Sequence, residues 1–278
     1  MSAYAKAPIV VGVDDTPLGL SAVRMATREA ARYERPLRIV HSFNWSPELE
    51  APPANELRRP TELLLDRAAT TARSAEPRVE ISTALIEGPA LTTLLRESGS
   101  AALTVIGDGE LTCPDAVPAD TLSVQIAARA GCSVLVVRES PPDQGPVLVG
   151  FDGSGGSYAA LDFGFDAAAR RGTELLVLRA WDPEEHPHRE APTTEQLAEA
   201  VRPCREKYPS VRVTERVRVD DPEQVLIAES RQAQLVVVSA RGDQPWRGML
   251  GSVSQALLYH SPVPVAVVRS AHELYIQE

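Results

Sequence analysis

Short apolar runs alternate along this chain with longer stretches in which apolar residues recur at helical spacing. The runs Leu103 to Ile106 and Leu235 to Val238 are apolar almost throughout and do not alternate with polar residues. Runs of this kind are typical of parallel strands that are covered on both faces. The pattern therefore predicts strand–helix–strand units stacked on a parallel sheet.

The same pattern occurs twice. Ile9 to Thr16 reads as an apolar run, a glycine, an apolar residue, an aspartate and then a hydroxyl residue, and Val147 to Ser154 repeats it. Ser133 to Arg138 likewise recurs as Pro264 to Arg269. Repeats at both ends of the pattern indicate two copies of one domain. The stiff polar stretch from 140 to 146 separates them, so we expect domains at 1–140 and 146–278.

Each copy holds five strand-like runs and four helical stretches. In the first copy we predict strands near 8–13, 37–43, 79–86, 102–107 and 133–138, and helices near 19–34, 60–75, 90–98 and 120–130. In the second copy we predict strands near 147–151, 174–181, 211–219, 234–239 and 263–268, and helices near 156–171, 193–207, 222–232 and 252–260. Segments 44–59 and 182–192 read as exposed loops. The expected fold class is α/β, with two tandem Rossmann-like domains, each a five-stranded parallel sheet flanked by about four helices.

Composition and charge narrow the function classes. With 44% hydrophobic and 24% charged residues the chain is an ordinary globular protein. Its net charge of −10 repels a phosphate backbone, so we expect no nucleic-acid partner. The first apolar run is too short for a signal peptide or a membrane helix, which favours a cytoplasmic protein with no membrane partner.

Metal and disulfide sites are not expected from the cysteines and histidines. Cys113, Cys132 and Cys204 are odd in number and lack CxxC spacing. His186 and His188 lie among carboxylates, but the segment has no fixed scaffold and reads as a solvated loop. We therefore predict no metal site.

The first candidate ligand site lies at the end of the first strand of each copy. In open parallel sheets, ligands bind outside the carboxyl ends of the strands. Asp14 and Asp152 stand at these ends, and Thr16 and Ser154 follow two residues later. Capping of the next helix explains this pattern, and so does a carboxylate aimed at a ribose or a base. Both interpretations remain open at this stage.

A second candidate follows the fourth strand of the second copy. The segment runs from Ser239 through Arg241 and Gly242, and reaches Gly251-Ser252 at the start of a helix. Glycines allow backbone amides to approach a phosphate, and a helix start offers N–H groups and a positive dipole end to an anion. The alternative is a flexible loop followed by a serine that caps the helix.

These segments resemble the universal stress protein family, over nearly the whole chain and in two copies. The resemblance is carried by Val149 to Ser154, Arg241-Gly242, Gly251 to His260 and Pro262 to Val268. It implies an adenine nucleotide alpha hydrolase-like fold, a role in stress response or signalling, and ATP as ligand, with or without Mg²⁺. Nucleotide-binding members carry G-x2-G-x9-G-[ST] after the fourth strand and an aspartate after the first. The implied nucleotide-binding positions are Asp152, Ser154, Ser239, Arg241, Gly242, Gly248, Gly251, Ser252 and Val253.

The two copies depart from the family motif to different degrees. In the second copy Ser239 replaces the first glycine, and eight residues instead of nine separate Gly242 from Gly251. In the first copy Asp120-Thr121 stands where Gly-Ser is expected, and a carboxylate there repels phosphate. We therefore expect the second domain to bind an adenine nucleotide and the first to bind ATP poorly.

Other functional classes compete with nucleotide binding. Ser154-Gly155-Gly156 begins like the SGGxDS loop of ATP-using ligases, but Tyr158-Ala159 stands where Asp-Ser is required. No HIGH-like motif and no nucleophile paired with a general base is visible, so we predict no catalytic residues, although a slow ATPase side activity is compatible. A nucleotide-free interaction or scaffold protein of the same fold stays open.

Assembly is also implied by the resemblance. In the family the last strands of two domains often pair, which would join Val134–Arg138 to Val265–Arg269 as an intramolecular pseudo-dimer. Whether two chains then form a homodimer is left open.

Overall fold

The computed structural model describes residues 6–43, 54–109, 121–138, 142–184, 190–241 and 249–269, with side chains described for all of these except 54–59. The chain divides into two compact domains, Met1–Glu139 and Ser140–Glu278.

The first domain is an open parallel sheet. Its strands are β1 (Ile9–Gly12), β2 (Leu37–Phe43), β3 (Ile81–Glu87), β4 (Leu103–Gly107) and β5 (Val134–Val137). Its helices are α1 (Pro17–Arg32), α2 (Ala54–Ala75), α3 (Ala90–Ser98) and α4 (Leu122–Arg129). The strands lie in the order β3-β2-β1-β4-β5, and every neighbouring pair is parallel.

The second domain repeats this topology. Its strands are β6 (Val147–Gly150), β7 (Leu175–Trp181), β8 (Val213–Val219), β9 (Leu235–Ser239) and β10 (Val265–Val268). Its helices are α5 (Gly155–Arg171), α6 (Thr194–Lys207), α7 (Pro222–Ser230) and α8 (Ser252–His260). The order β8-β7-β6-β9-β10 matches that of the first domain, with all pairs parallel. The predicted fold class is confirmed.

The first strand of each domain is the topological switch point. β1 pairs with β2 on one side and with β4 on the other, and β6 pairs in the same way with β7 and β9. Connections leave such a strand in opposite directions, so a crevice opens outside its carboxyl end. Asp14 and Asp152 follow β1 and β6 directly, and they therefore lie at the two crevices.

Helix α2 begins earlier than the sequence predicts. It starts at Ala54, and Pro60 lies inside it, so the predicted loop is wrong for residues 54–59. Proline lacks the amide for the helical hydrogen bond and usually marks a helix start. The preceding residues include the good helix formers Ala54, Glu56 and Leu57, which extend the helix towards the N-terminus. Residues 44–53 of the predicted loop lie outside the described residues.

Helix α5 packs very closely on β6 through Gly164. A Cβ atom added to Gly164 would lie 2.3 Å from Cγ2 of Val149, which is far inside contact distance. Val149 itself is fully buried. At Gly155, the first residue of the same helix, an added Cβ would meet nothing within 4 Å. The distance between helix and strand thus depends on the absence of a side chain at Gly164.

We expect Gly164→Ala to lower the free energy of unfolding by about 1–3 kcal/mol, because the extra methyl group overpacks the contact with β6. The matched control Gly155→Ala should change stability by no more than about 1 kcal/mol. Urea unfolding followed by circular dichroism measures both. Equal stability of the two variants would mean that α5 can move away from β6 without cost.

Candidate ligand sites at the carboxyl ends of the strands

The turn after β6 holds Asp152 and begins α5. Asp152 Oδ1 accepts a hydrogen bond from the Ser154 amide at 2.8 Å, across Gly153 with a φ of 87°. Ser154 is the N-cap of α5, where its Oγ accepts from the Ser157 amide at 3.3 Å. The hydroxyl of Ser154 is therefore engaged in capping, whereas the side chain of Asp152 is exposed and its Oδ2 makes no hydrogen bond with a described residue.

The first domain builds the same turn from Asp14. Asp14 Oδ1 accepts from the amide of Thr16 at 3.3 Å and from its hydroxyl at 2.5 Å. Thr16 in turn accepts from the Gly19 amide at 3.0 Å and caps α1. The capping interpretation of the Asp-x-hydroxyl pattern is therefore confirmed in both domains. The aspartates stay exposed, and their contact with a ribose or a base stays a prediction.

Arg179 on β7 lies directly under the turn of Asp152, and the sequence reasoning missed it. Its Nη2 donates to the carbonyl oxygen of Asp152 at 3.4 Å, and its Cζ lies 6.0 Å from the ring centroid of Phe151. Its Nε is buried without a hydrogen-bond partner among the described residues. A Cβ added to Gly153 would lie 3.2 Å from Nη2. The guanidinium therefore adds a positive charge at the backbone of this turn.

The first domain has a histidine in the corresponding place. His41 on β2 places Nδ1 at 2.7 Å from the carbonyl oxygen of Val13, and this nitrogen must carry the proton because a carbonyl only accepts. His41 and Arg179 follow Asp14 and Asp152, respectively, by the same number of residues. An alignment of the two repeats would therefore have shown the difference between them.

Ser239, at the end of β9, makes hydrogen bonds through both its side chain and its backbone carbonyl. Its Oγ donates to the carbonyl oxygen of Arg241 at 2.8 Å, and its own carbonyl accepts from Ser254 Oγ at 2.7 Å. The side chain of Arg241 contacts the backbone before α8, since Nε donates to the carbonyl oxygen of Met249 at 3.1 Å. Gly242 and Gly248 lie outside the described residues.

Helix α8 begins without a side-chain cap. Gly251 is its N-cap residue and no side-chain hydrogen bond caps the helix. The Gly251 amide donates to the carbonyl oxygen of Ala240 at 3.0 Å, so our expectation that this amide faces an anion is wrong. The first N–H groups of a helix have no partner within it, so the amides of Ser252 and Val253 have none within α8. Amides of this kind are suited to bind an anion. Ser252 is exposed and adds its hydroxyl.

The first domain differs at the end of β4, which corresponds to the end of β9 in the second domain. Asp108 follows β4, and Ala240 follows β9. The two residues correspond, because the Asp108 amide donates to the carbonyl oxygen of Val137 as the Ala240 amide donates to that of Val268. Arg138 Nη1 donates to Asp108 Oδ2 at 3.0 Å, and the two side chains are 7% and 10% exposed. Burial lowers the pKa of Arg138 and the charge of Asp108 opposes this shift. An internal ion pair thus occupies the end of β4.

A cavity of about 170 Å³ opens at the crevice of the first domain. It lies between the ends of β1, β2 and β4 and the starts of α3 and α4, and its lining includes Gly12, Asp14, His41, Leu94, Ile106 and Ser123. This is the domain that we expected to bind ATP poorly. In the second domain, residues 242–248, which follow β9 in the sequence, lie outside the described residues.

Neither a metal cluster nor a membrane span is found within the described ranges. No group of three or more His, Cys, Asp or Glu side chains there could hold a metal ion, and His186 and His188 fall outside them. No helix in that part of the chain is long and apolar enough to cross a bilayer.

Fold and crevices together define a protein made of two open parallel α/β domains in tandem. The model of the universal stress protein family matches residues 7–138 and again 145–269. A universal stress protein from Mycobacterium tuberculosis is 35% identical over 289 residues, which cover 95% of this chain and 96% of the relative. One from Mycolicibacterium smegmatis is 32% identical over 288 residues, covering 94% and 96%.

Solved structures agree on the fold. The crystal structure of a universal stress protein from Archaeoglobus fulgidus aligns with a TM-score of 0.72 at 16% identity, covering 97% of this chain and 99% of that one. A putative universal stress protein from Pseudomonas aeruginosa aligns with a TM-score of 0.64 at 16% identity, covering 98% and 96%. The chain belongs to the universal stress protein family, as a tandem of two such domains.

The buried pair of Asp108 and Arg138 should be important for stability. We expect Asp108→Ala to lower the free energy of unfolding by about 3–5 kcal/mol, because it leaves the buried guanidinium without its counter-charge. Adding Arg138→Met should recover most of this loss. The control is Glu199→Ala, which breaks an exposed pair with Arg202 and should cost at most about 1 kcal/mol. Thermal and urea unfolding measure the stability of all three variants. Equal losses of unfolding free energy in Asp108→Ala and Glu199→Ala would contradict the expectation.

Proposed function

We propose that the second domain binds an adenine nucleotide, ATP, at the crevice between β6 and β9, and that the protein acts in stress response or signalling as a nucleotide-binding protein. The observation that carries the proposal is the start of α8. A helix that begins after a glycine, with no side-chain cap and with an exposed serine as its first residue, is suited to bind an anion.

Two arginines support an anionic ligand at this crevice. Arg179 lies under the Asp152 turn, where the first domain has His41. Arg241 lies at the end of β9, and its side chain is held at the loop that leads to α8. Positive charge at a crevice raises the local concentration of a negatively charged ligand. These two cations therefore favour a phosphorylated ligand.

Asp152 supplies the contact for the nucleoside. Its Oδ1 is held by the Ser154 amide, which orients the carboxylate and leaves Oδ2 without a hydrogen bond to a described residue. A carboxylate at the end of a strand in an open α/β sheet can accept hydrogen bonds from ribose hydroxyls. ATP would thus lie across the crevice, with its ribose at Asp152 and its phosphates at Ser252 and Val253.

The proposed role is binding, not catalysis. The hydroxyls of Ser154 and Ser239 make hydrogen bonds within their own turns, so neither is paired with a general base among the described residues. Slow hydrolysis of bound ATP is compatible with this site. A nucleotide-free scaffold role predicts instead that the gently purified protein carries no nucleotide in a mass spectrum after denaturation. The cytoplasmic location, strand pairing between the domains and homodimer formation stay predictions.

We expect the double variant Gly251→Asp, Ser252→Asp to bind ATP at least about 10-fold more weakly than the wild type, because two carboxylates at the helix start repel phosphate. Isothermal titration calorimetry, with and without Mg²⁺, measures the affinity and shows whether the metal contributes. Leu122→Asp, which places a carboxylate at the start of α4 in the first domain, is the matched control and should leave ATP affinity unchanged. Equal affinity of the wild type and the double variant would refute the proposed site.

A further inference from the structure

The peptide between Asp152 and Gly153 is held at both of its ends. Its carbonyl oxygen accepts a hydrogen bond from Arg179 Nη2 at 3.4 Å, and its N–H donates to Ser157 Oγ at 3.1 Å. Gly153 has a φ of 87°, a conformation that favours glycine because a Cβ atom is strained there. Side chains from two different elements, β7 and α5, therefore fix the direction of this one peptide.

The corresponding peptide of the first domain points the other way. Gly19 and Ser157 follow Asp14 and Asp152 by the same number of residues, and each lies in the first turn of the next helix. A Cβ atom added to Gly19 would lie 2.5 Å from the carbonyl oxygen of Asp14, so this carbonyl faces α1. In the second domain the N–H of the peptide faces α5 instead. Because the C=O and N–H of a trans peptide point in opposite directions, the two peptides are flipped relative to each other.

Each turn has a glycine where its own peptide direction requires one. Gly153 adopts a positive φ, and Asp15 stands at the corresponding place in the first domain. Among the described non-glycine residues only Glu34 has a positive φ, so Asp15 lies outside that region. The first domain instead has Gly19, which leaves room for the Asp14 carbonyl but offers no hydroxyl to an amide. The difference in peptide direction is therefore encoded in the sequence of the two turns.

Ring contacts place the guanidinium of Arg179 beside the turn. Its Cζ lies 6.0 Å from the ring centroid of the buried Phe151, and Phe151 meets Tyr158 of α5 edge-to-face with ring centroids 5.1 Å apart. His41, the corresponding residue of the first domain, bonds to the carbonyl oxygen of Val13, which is one peptide earlier. The arginine thus bonds to the carbonyl of the aspartate itself, and the histidine bonds to the carbonyl before the aspartate.

The direction of the peptide goes together with the number of bonds that the aspartate side chain makes. Asp14 Oδ1 accepts from both the amide and the hydroxyl of Thr16, at 3.3 Å and 2.5 Å. Asp152 Oδ1 accepts from the Ser154 amide at 2.8 Å, and among the described residues the Ser154 hydroxyl makes no bond to it. A carboxylate that makes fewer bonds within its own turn keeps more acceptor capacity for a ligand.

We propose that Arg179 is a positioning residue, which holds the Asp152–Gly153 peptide in the direction that leaves the Asp152 carboxylate available to a ligand. Without the guanidinium the peptide turns to the direction found in the first domain, and the carboxylate also accepts from the Ser154 hydroxyl. Arg179 thus acts on affinity through Asp152. The effect on affinity rests on the proposed ATP site, whereas the direction of the peptide can be measured without any ligand.

The first experiment measures hydrogen exchange of the Gly153 amide by NMR in the full-length protein without ligand. In Arg179→Met this amide should exchange about 5-fold faster or more, because the peptide turns and the amide leaves Ser157 Oγ. The matched control Arg212→Met removes another arginine of the same domain, which pairs with Glu174 at the amino ends of the strands, and should leave the exchange unchanged. Unchanged exchange in Arg179→Met overturns the proposal, whatever the protein binds.

The second experiment is a double-mutant cycle on ATP affinity, measured by isothermal titration calorimetry with Arg179→Met, Asp152→Ala and the variant that carries both. Arg179→Met alone should weaken binding by about 10-fold, because it removes a charged hydrogen bond that holds the turn. Its effect should be much smaller when Asp152 is already alanine, since the two residues act as a unit. An equal loss in both backgrounds would mean that Arg179 acts by its charge alone, and this result overturns the proposal.

Ser157→Ala provides a second variant, because it removes the hydroxyl that holds the other end of the peptide. It should weaken ATP binding and show the same coupling to Asp152→Ala, and it decides the matter if circular dichroism shows that Arg179→Met is unfolded. Failure of the ATP site itself appears separately, as absence of ATP binding by the wild type, and the exchange of the Gly153 amide then tests the role of Arg179 by itself.

Discussion

The pairing of the first strand with both the second and the fourth strand is the constraint on which each domain depends. Because β1 lies between β2 and β4, and β6 between β7 and β9, the chain leaves these strands in opposite directions and opens a crevice at their carboxyl ends. The aspartate turn forms one side of each crevice, and the start of the fourth helix forms another. Every candidate ligand contact follows from this placement.

The two domains share a backbone but differ in charge at the crevice. The first domain has His41 under its aspartate turn, where the second has Arg179. The first also carries Asp108, which forms a buried ion pair at the place that Ala240 occupies in the second domain. Such exchanges leave the fold intact, because the backbone hydrogen bonds at these positions are the same. They change which charged groups lie at the ends of the strands in each domain.

Several residues of the family motif also hold the structure together. Ser154 caps α5 and Ser239 bonds to Arg241 within its turn, so neither hydroxyl is a free ligand contact. The Gly251 amide is bound to Ala240 in the same way. Motif residues at strand ends must first satisfy buried backbone and side-chain polar groups, since unpaired polar groups are costly. The exposed Asp152 and Ser252 are therefore better candidates for ligand contacts.

The sequence by itself determined the two repeats, the parallel α/β architecture and the positions of Asp14 and Asp152, because these depend on local periodicity and on a repeated pattern. It placed the start of α2 wrongly, since Pro60 outweighed the helix formers before it. Only the tertiary structure decided that Arg179 lies under Asp152, that Asp108 pairs with Arg138 and that the cavity opens in the first domain. These contacts join residues about 27 or more positions apart, and no local pattern encodes which side chains the sheet brings together.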